Sequence, residues 1–270
     1  VRGRKDIENL SLPFVGEIPL KTDAGKNKST HTNKSIVIKQ GSRDIINEAF
    51  RVLRTNLEFM LDAKIENKAS VTLFTSFNPG SGKSFLTMNT AATFAMKGKR
   101  ILVIDGDLRR GSASAYLGSQ HKGLSDYLGK RESCLDALVQ ENPDIPGFFL
   151  LPAGTIPPNP TELLAEPLFK ETIEQLRGHY DYILIDCPPI DIVADTQIIE
   201  KLADRTVFVV RAGLLERDML SELQRMYDEK RFKNMALLLN GTEGGGNRYG
   251  YRYGYKYGYK YGYGSKNYYK

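Results

Sequence analysis

The sequence predicts an α/β fold, a doubly wound and mainly parallel sheet, with a disordered tyrosine-rich tail after it. Three observations predict this. Short, charge-free apolar runs recur at residues 71–75, 101–104, 148–151, 182–185, 206–210 and 235–239, with helix-like stretches between most of them. Consecutive β-formers without alternation read as strands buried on both faces. Beyond residue 246 the composition changes to tyrosine, glycine and basic residues, with no large aliphatics to build a core.

Taken in order, residues 1–41 form an N-terminal segment and linker, in which residues 15–18 could add an edge strand before a Lys/Thr/Asn/Ser-rich connection. Residues 42–61 read as a helix capped by Ser42, with an apolar stripe of Ile45, Phe50, Leu53 and Leu57. Glu48, Arg51 and Arg54 share another face; spacing alone makes them ordinary intrahelical ion pairs. A strand at 71–75 runs into Ser76-Phe77-Asn78-Pro79-Gly80-Ser81-Gly82-Lys83-Ser84, and a helix follows to about residue 96.

Strand, glycine-rich turn and Gly-Lys-Ser opening a helix is the context of a phosphate-binding loop. Backbone N–H groups of such a turn converge on an anion, Lys83 adds positive charge, and the Ser84 hydroxyl can hold Mg2+. This makes the sheet one of the P-loop NTPase type. Phe77 stands where the general pattern has its first glycine, and a purely structural turn remains the alternative.

The run 101–104 ends in Asp105-Gly106-Asp107, and 182–185 ends in Asp186. These are the carboxyl strand ends at which open parallel sheets place ligands. Further helices are expected over 134–139, from Asn159 or Thr161 to Arg177, over 195–203 and over 214–230. Residues 42–246 thus form one domain, and 247–270 form the tail.

Length and composition bound the rest. At 270 residues and 41% apolar content the chain supports one sizeable core. No apolar run approaches the roughly 18 residues of a membrane span, and no signal peptide is present in these residues. Two cysteines, Cys134 and Cys187, supply neither a disulfide framework nor a metal cluster, which favours a reducing compartment. The net charge of +6 equals the six basic residues of 247–270, where no acidic residue occurs. The excess charge therefore belongs to the tail.

Mg2+ prefers oxygen ligands and retains water, so Ser84, Asp107 and Asp186 suit metal positioning in a Mg·ATP site. Asp105 is the group expected to contact an acceptor hydroxyl, and Lys83 the cation on the phosphates. The tail offers Tyr249, Tyr251, Tyr253, Tyr255, Tyr257, Tyr259, Tyr261, Tyr263, Tyr268 and Tyr269 as phenolic acceptors. About 25 flexible residues have a reach of roughly 25–30 Å, comparable with a domain diameter. Each phosphate would add about −1.5 to −2 charges, so a few modifications would cancel the tail's positive charge. Composition alone equally allows an adhesive low-complexity segment or a basic aromatic strip that binds single-stranded nucleic acid.

NPGSGKS, ILVIDGDLR, ILIDCPP, the EAFRVLR helix and the tyrosine cluster together resemble the cytoplasmic catalytic domain of bacterial tyrosine kinases (BY-kinases) that regulate capsule and exopolysaccharide export. The resemblance covers residue 12 to the C-terminus. It implies an ATP- and Mg2+-dependent protein-tyrosine kinase that phosphorylates its own tail in trans within a homo-oligomeric ring. Glu48, Arg51 and Arg54 then become self-association residues. A membrane-embedded activator, upstream of Val1 or on a separate chain, is implied as well, together with protein-tyrosine substrates, a phosphotyrosine phosphatase and a place on the cytoplasmic side of the inner membrane.

Asn78 to Phe85 would contact the nucleotide. Arg211 and Asn240 sit where related ATPases contact the base, although packing or capping explains them almost as well. Related partition ATPases carry a second lysine at the position of Asn78. The competing reading is a partition-type ATPase switch whose tail binds nucleic acid or membrane; the resemblance leads us to expect no nucleic-acid partner.

Overall fold

The computed structural model describes residues 1–20, 35–60, 68–118, 121–190 and 194–243. Its centre is an eight-stranded sheet. The strands are β1 (Phe14–Pro19), β2 (Ser70–Thr75), β3 (Ile101–Asp105), β4 (Gln140–Glu141), β5 (Phe148–Leu151), β6 (Tyr182–Asp186), β7 (Arg205–Arg211) and β8 (Met235–Thr242). They lie in the order β1-β8-β7-β2-β6-β3-β5-β4. Every pairing is parallel except β4 with β5.

Among the described residues seven α-helices flank this sheet: α1 (Ile45–Met60), α2 (Lys83–Ala95), α3 (Leu124–Leu128), α4 (Pro160–Ala165), α5 (Pro167–Arg177), α6 (Asp195–Glu200) and α7 (Met219–Asp228). Burial on both faces explains the continuous apolar strands: β3 is buried at every residue. On one face α1 and α2 pack Phe50, Leu53, Leu86 and Phe94 against the sheet. On the other, α4, α5 and α6 bring Leu164, Phe169, Ile173 and Ile199 against Val71, Leu102 and Ile185. No described helix is long and apolar enough to cross a membrane.

Several boundaries differ from the sequence reading, each for a local reason. Asp44 rather than Ser42 opens α1: its carboxylate accepts the Asn47 backbone N–H at 2.8 Å, while the Ser42 hydroxyl donates to Asp44 at 2.7 Å. The helix expected over 134–139 is a turn, with the Leu138 N–H bonded to the Leu135 carbonyl, and the chain then enters β4. The helix expected to reach Arg177 is two helices. Pro167 lacks an N–H and holds Glu166 extended at ψ 143°, so the first ends and a second begins. The 195–203 helix is confined to α6, and α7 begins only at Met219. Ahead of α7 the chain is held in turns that bind Val1, whose N–H3+ donates to Leu215 O at 2.7 Å.

Residues 1–20, which the sequence sets apart from the main domain, join its sheet. β1 forms the outer edge on β8, and Val1, Ile7 and Leu12 pack with β7, β8 and α7.

A buried arginine ties the start of the sheet together. Arg177 at the end of α5 donates to both carboxylate oxygens of Asp204, at 2.6 and 3.0 Å, and to the carbonyls of Ala69 and Leu202. Asp204 in turn accepts the Val71 N–H at 2.8 Å. Arg177→Met is expected to destabilise the fold by about 2–3 kcal/mol, a value lowered from that of a fully buried pair because Asp204 keeps some access to water. Denaturant melts of the two proteins measure this; an unchanged midpoint would remove the lock from the account.

Candidate active site

The phosphate loop leaves β2 and closes onto α2 through two left-handed glycines, Gly80 at φ +77° and Gly82 at φ +89°. Gly82 is required twice over, because a Cβ there would also collide with the Asn240 amide. Asn240 stands at the end of β8, opposite Arg211 of β7, and donates its Nδ2 to the Ser81 carbonyl at 2.8 Å. The two residues singled out for base contact thus back the loop, with the Arg211 guanidinium also close to Gly82. Inside the loop the Ser76 and Ser81 hydroxyls both donate to the Asn78 carbonyl at 2.8 Å. Phe77 fills the missing-glycine position with a buried ring, edge-on to Phe208 at 4.8 Å.

Loop and strand ends line a cleft of about 370 Å3, within the range of small-molecule sites. Pro79, Gly80, Gly82, Lys83, Ser84 and Phe85 form one wall. Asp107, Arg110, Asp186 and Tyr116 stand around the rest. Lys83 is 8% exposed and donates to the Ser76 hydroxyl at 3.1 Å. Burial lowers its pKa, and the carboxylates of Asp186 and Asp107 pull the other way.

Asp186 receives the Ser84 hydroxyl on one carboxylate oxygen at 2.5 Å. Its other oxygen, Oδ1, is buried with no hydrogen-bond partner. Burial, then the neighbouring Asp105, pushes the Asp186 carboxyl up to about 8. The two residues are register partners on β3 and β6, so like charges meet at the sheet edge.

Asp105 faces the following turn rather than the cleft. One oxygen accepts the Ser114 N–H and hydroxyl, each at 2.7 Å, and the other accepts the Asp107 N–H at 3.2 Å. Burial raises it to about 6. Asp107 opens onto the cleft, and it is raised by burial while the Arg110 and Arg109 N–H groups oppose that shift. The adjoining Cys187 thiol is buried and pushed well up by that burial, so it stays protonated and unreactive.

This donor set fits Mg2+. A buried carboxylate oxygen lacking a partner lies beside a hydroxyl and a phosphate loop, all hard oxygen ligands. Among the described residues no group of three or more His, Cys, Asp or Glu could hold a metal alone.

The three residues expected to mediate self-association lie on α1. Glu48 and Arg51 form an exposed ion pair, and Arg51 also donates to the Ser42 carbonyl. Arg54 is turned inward and donates to the Thr93 carbonyl of α2 at 3.2 Å. The ten tail tyrosines lie outside the described residues.

A protein-family model described as an AAA domain matches residues 70–230. The chain is 32% identical over 219 residues to tyrosine-protein kinase YwqD of Bacillus subtilis, covering 81% of this chain and 90% of that protein. The chain belongs to the bacterial tyrosine-protein kinases. Among solved structures, the kinase domain of Escherichia coli tyrosine kinase ETK superposes with a TM-score of 0.77 at 28% identity, over 97% of this kinase and 100% of that chain. The BceF tyrosine kinase domain does so with a TM-score of 0.75 at 35% identity, over 89% and 98%. Some curated relatives are longer: the kinase spans 32% of AmsA of Erwinia amylovora.

Sequence reading found the loop and all three aspartates but missed Arg110, Tyr116, Ser114 and Asp195. Arg110 could have been noticed as the second basic residue after Asp107. Ser114 and Asp195 carry no local pattern, since only the fold brings them to Asp105 and Arg109.

Proposed function

We propose that this kinase transfers the γ-phosphoryl group of ATP to the tyrosines of its own C-terminal stretch, acting between chains of a homo-oligomer. The observation that carries this reading is the unpartnered Asp186 oxygen beside the Ser84 hydroxyl and Lys83, at the mouth of a phosphate loop. The acceptors are Tyr249 to Tyr269, ten phenols with no acidic residue among them.

Ser84 and Asp186, with Asp107 across the cleft, would hold Mg2+, which when bound supplies charge neutralisation at the phosphates. The loop N–H groups and Lys83 orient the triphosphate. The phenolic oxygen bonds to the γ-phosphorus, the bond to the β,γ-bridging oxygen breaks, and its electron pair leaves with ADP. The phenolic proton passes to Asp105, whose carboxyl is raised by burial and so holds a proton more readily than an ordinary aspartate. For this, Asp105 must release the Ser114 hydroxyl that it now holds.

The exposed Glu48–Arg51 pair is the association surface we assign, with Arg54 supporting α1 from within. Control of exopolysaccharide synthesis and export, through a membrane-embedded activator and a counteracting phosphatase, is the setting this activity fits.

The test is a mixture of two chains in Mg·ATP: a Lys83→Met chain with its tail, and an active chain lacking 247–270. Mass spectrometry should find phosphate on the inactive chain's tyrosines. An unmodified tail, under conditions that label wild type, would exclude transfer between chains. ATP turnover with no phosphotyrosine, and salt-sensitive nucleic-acid binding lost with 247–270, would favour the ATPase switch instead.

A further inference from the structure

The turn after β3 carries two successive arginines with opposite fates. Arg109 is tied to its neighbours: it donates from Nε to Asp195 at 3.0 Å and from Nη2 to the Thr161 hydroxyl at 2.9 Å. Asp195 is itself completely buried and also accepts the Thr161 hydroxyl at 2.6 Å. This clamp joins the turn to α4 and α6. Arg110 is exposed, lines the cleft, and has no side-chain hydrogen bond or ion pair among the described residues.

The backbone that presents Arg110 is fixed at both ends. Its own N–H donates to the Asp107 carbonyl and to the Asp107 carboxylate, each at 3.2 Å. Gly111, at φ +56°, turns the chain back and donates to the same carbonyl at 2.8 Å. Ser114 then closes the turn on Asp105. A long cationic side chain is thus held over the cleft by a rigid base, close enough to Asp107 to favour its charged form but with no side-chain hydrogen bond or ion pair among the described residues.

The charges around the cleft give that side chain a task. The loop supplies one cation, Lys83, and position 78 is asparagine. Asp107 adds negative charge, and a magnesium triphosphate is itself anionic. Negative charge must also move toward the β,γ-bridging oxygen as that bond breaks. A guanidinium with several fixed donors is suited to this, because it matches phosphate oxygens in pairs and always stays charged.

We infer that Arg110 is a further catalytic residue of the transfer, contacting the γ-phosphoryl oxygens and stabilising the transferring group as its bond to the bridging oxygen breaks. This rests on the kinase reading given above. It divides the motif into an arginine that positions the turn, Arg109, and an arginine that meets the nucleotide, Arg110.

The experiment compares wild type with Arg110→Ala, Arg110→Gln and Arg110→Lys in full-length chains. It measures tyrosine phosphorylation rate at saturating Mg·ATP, Mg·ADP affinity and the melting temperature. Arg110→Ala and Arg110→Gln should slow transfer on the order of 100-fold, with Mg·ADP affinity within about threefold and melting unchanged. Arg110→Lys should recover part of the rate, because the charge is kept and the paired donors are lost. A rate within about threefold of wild type in the alanine and glutamine variants would overturn the inference. So would an ADP affinity that falls as far as the rate, since Arg110 would then be a ground-state diphosphate contact. If wild type itself labels no tyrosine in the same assay, the kinase reading fails.

Discussion

Asp186→Asn is expected to make the ligand-free protein more stable at pH 8 while abolishing tyrosine phosphorylation. The carboxylate is 1% exposed, one oxygen has no partner, and burial with Asp105 nearby raises it from an ordinary 3.8 to about 8. A carboxyl raised on folding binds its proton more tightly in the native state. Stability is then greatest below about pH 4, where both states are protonated, and falls as the pH climbs toward 8. Asparagine removes that fall, and its side-chain oxygen can still accept the Ser84 hydroxyl.

The gain should be on the order of 1–3 kcal/mol at pH 8, or about 2–4 °C in melting temperature per kcal/mol for a domain of this size. It should nearly disappear at pH 4. Transfer should drop on the order of 1,000-fold or more, because Mg2+ loses an anionic ligand. Thermal melts at the two pH values and a phosphotyrosine assay measure both. A variant that melts below wild type at pH 8 would show that the ionised carboxylate is not a burden, and would remove the argument for a cation site.

Lys83→Met is expected to cost as much activity with little change in the fold. The ammonium is nearly buried, and among the described residues it hydrogen-bonds to the Ser76 hydroxyl. Burial already works against its charge, so an unbranched apolar side chain of similar length replaces it without a large structural penalty. The catalytic loss is another matter. Without Lys83, Arg110 is the one basic side chain among the described residues lining the cleft that is left to face the triphosphate. Transfer should fall on the order of 1,000-fold or more, with a melting temperature close to that of wild type. Because Lys83 also restrains the Asp186 pKa, its removal should push that carboxyl higher still. A large drop in melting temperature would mean that the lysine holds the loop together, and the lost activity could then not be assigned to charge.

The parts of this molecule legible in its sequence are those in which one segment carries the whole signal. Apolar runs marked β2, β3, β5, β6, β7 and β8 because both faces of each strand are covered. The phosphate loop was legible because strand, turn and helix follow one another without interruption. Helix ends were less so. Asp44 and Ser42 are both good caps, and only the Asn47 bond decides between them. Two helices read as one until Pro167 is given the power to straighten Glu166. β4 is two residues long and exists only because β5 lies beside it.

The same limit applies to the site. Asp105, Asp107 and Asp186 stand at strand ends and could be found by position. The turn of Asp105 toward Ser114, and the capture of Arg109 by Asp195, join segments 9 and 86 residues apart. Pairings over such distances leave no periodicity to read.

Phe77 has one last consequence. Buried against Phe208, it makes the first residue of the phosphate loop a member of the same packed cluster as β7, β8, α7 and the N-terminal residues. Three residues later, Gly80 has open space where a side chain would be. The loop is therefore welded to the cooperative unit of the fold at its entrance and free to adjust where it meets phosphate. Its entrance cannot melt locally while the sheet stays intact, and much of the entropy cost of shaping it is met during folding rather than on binding.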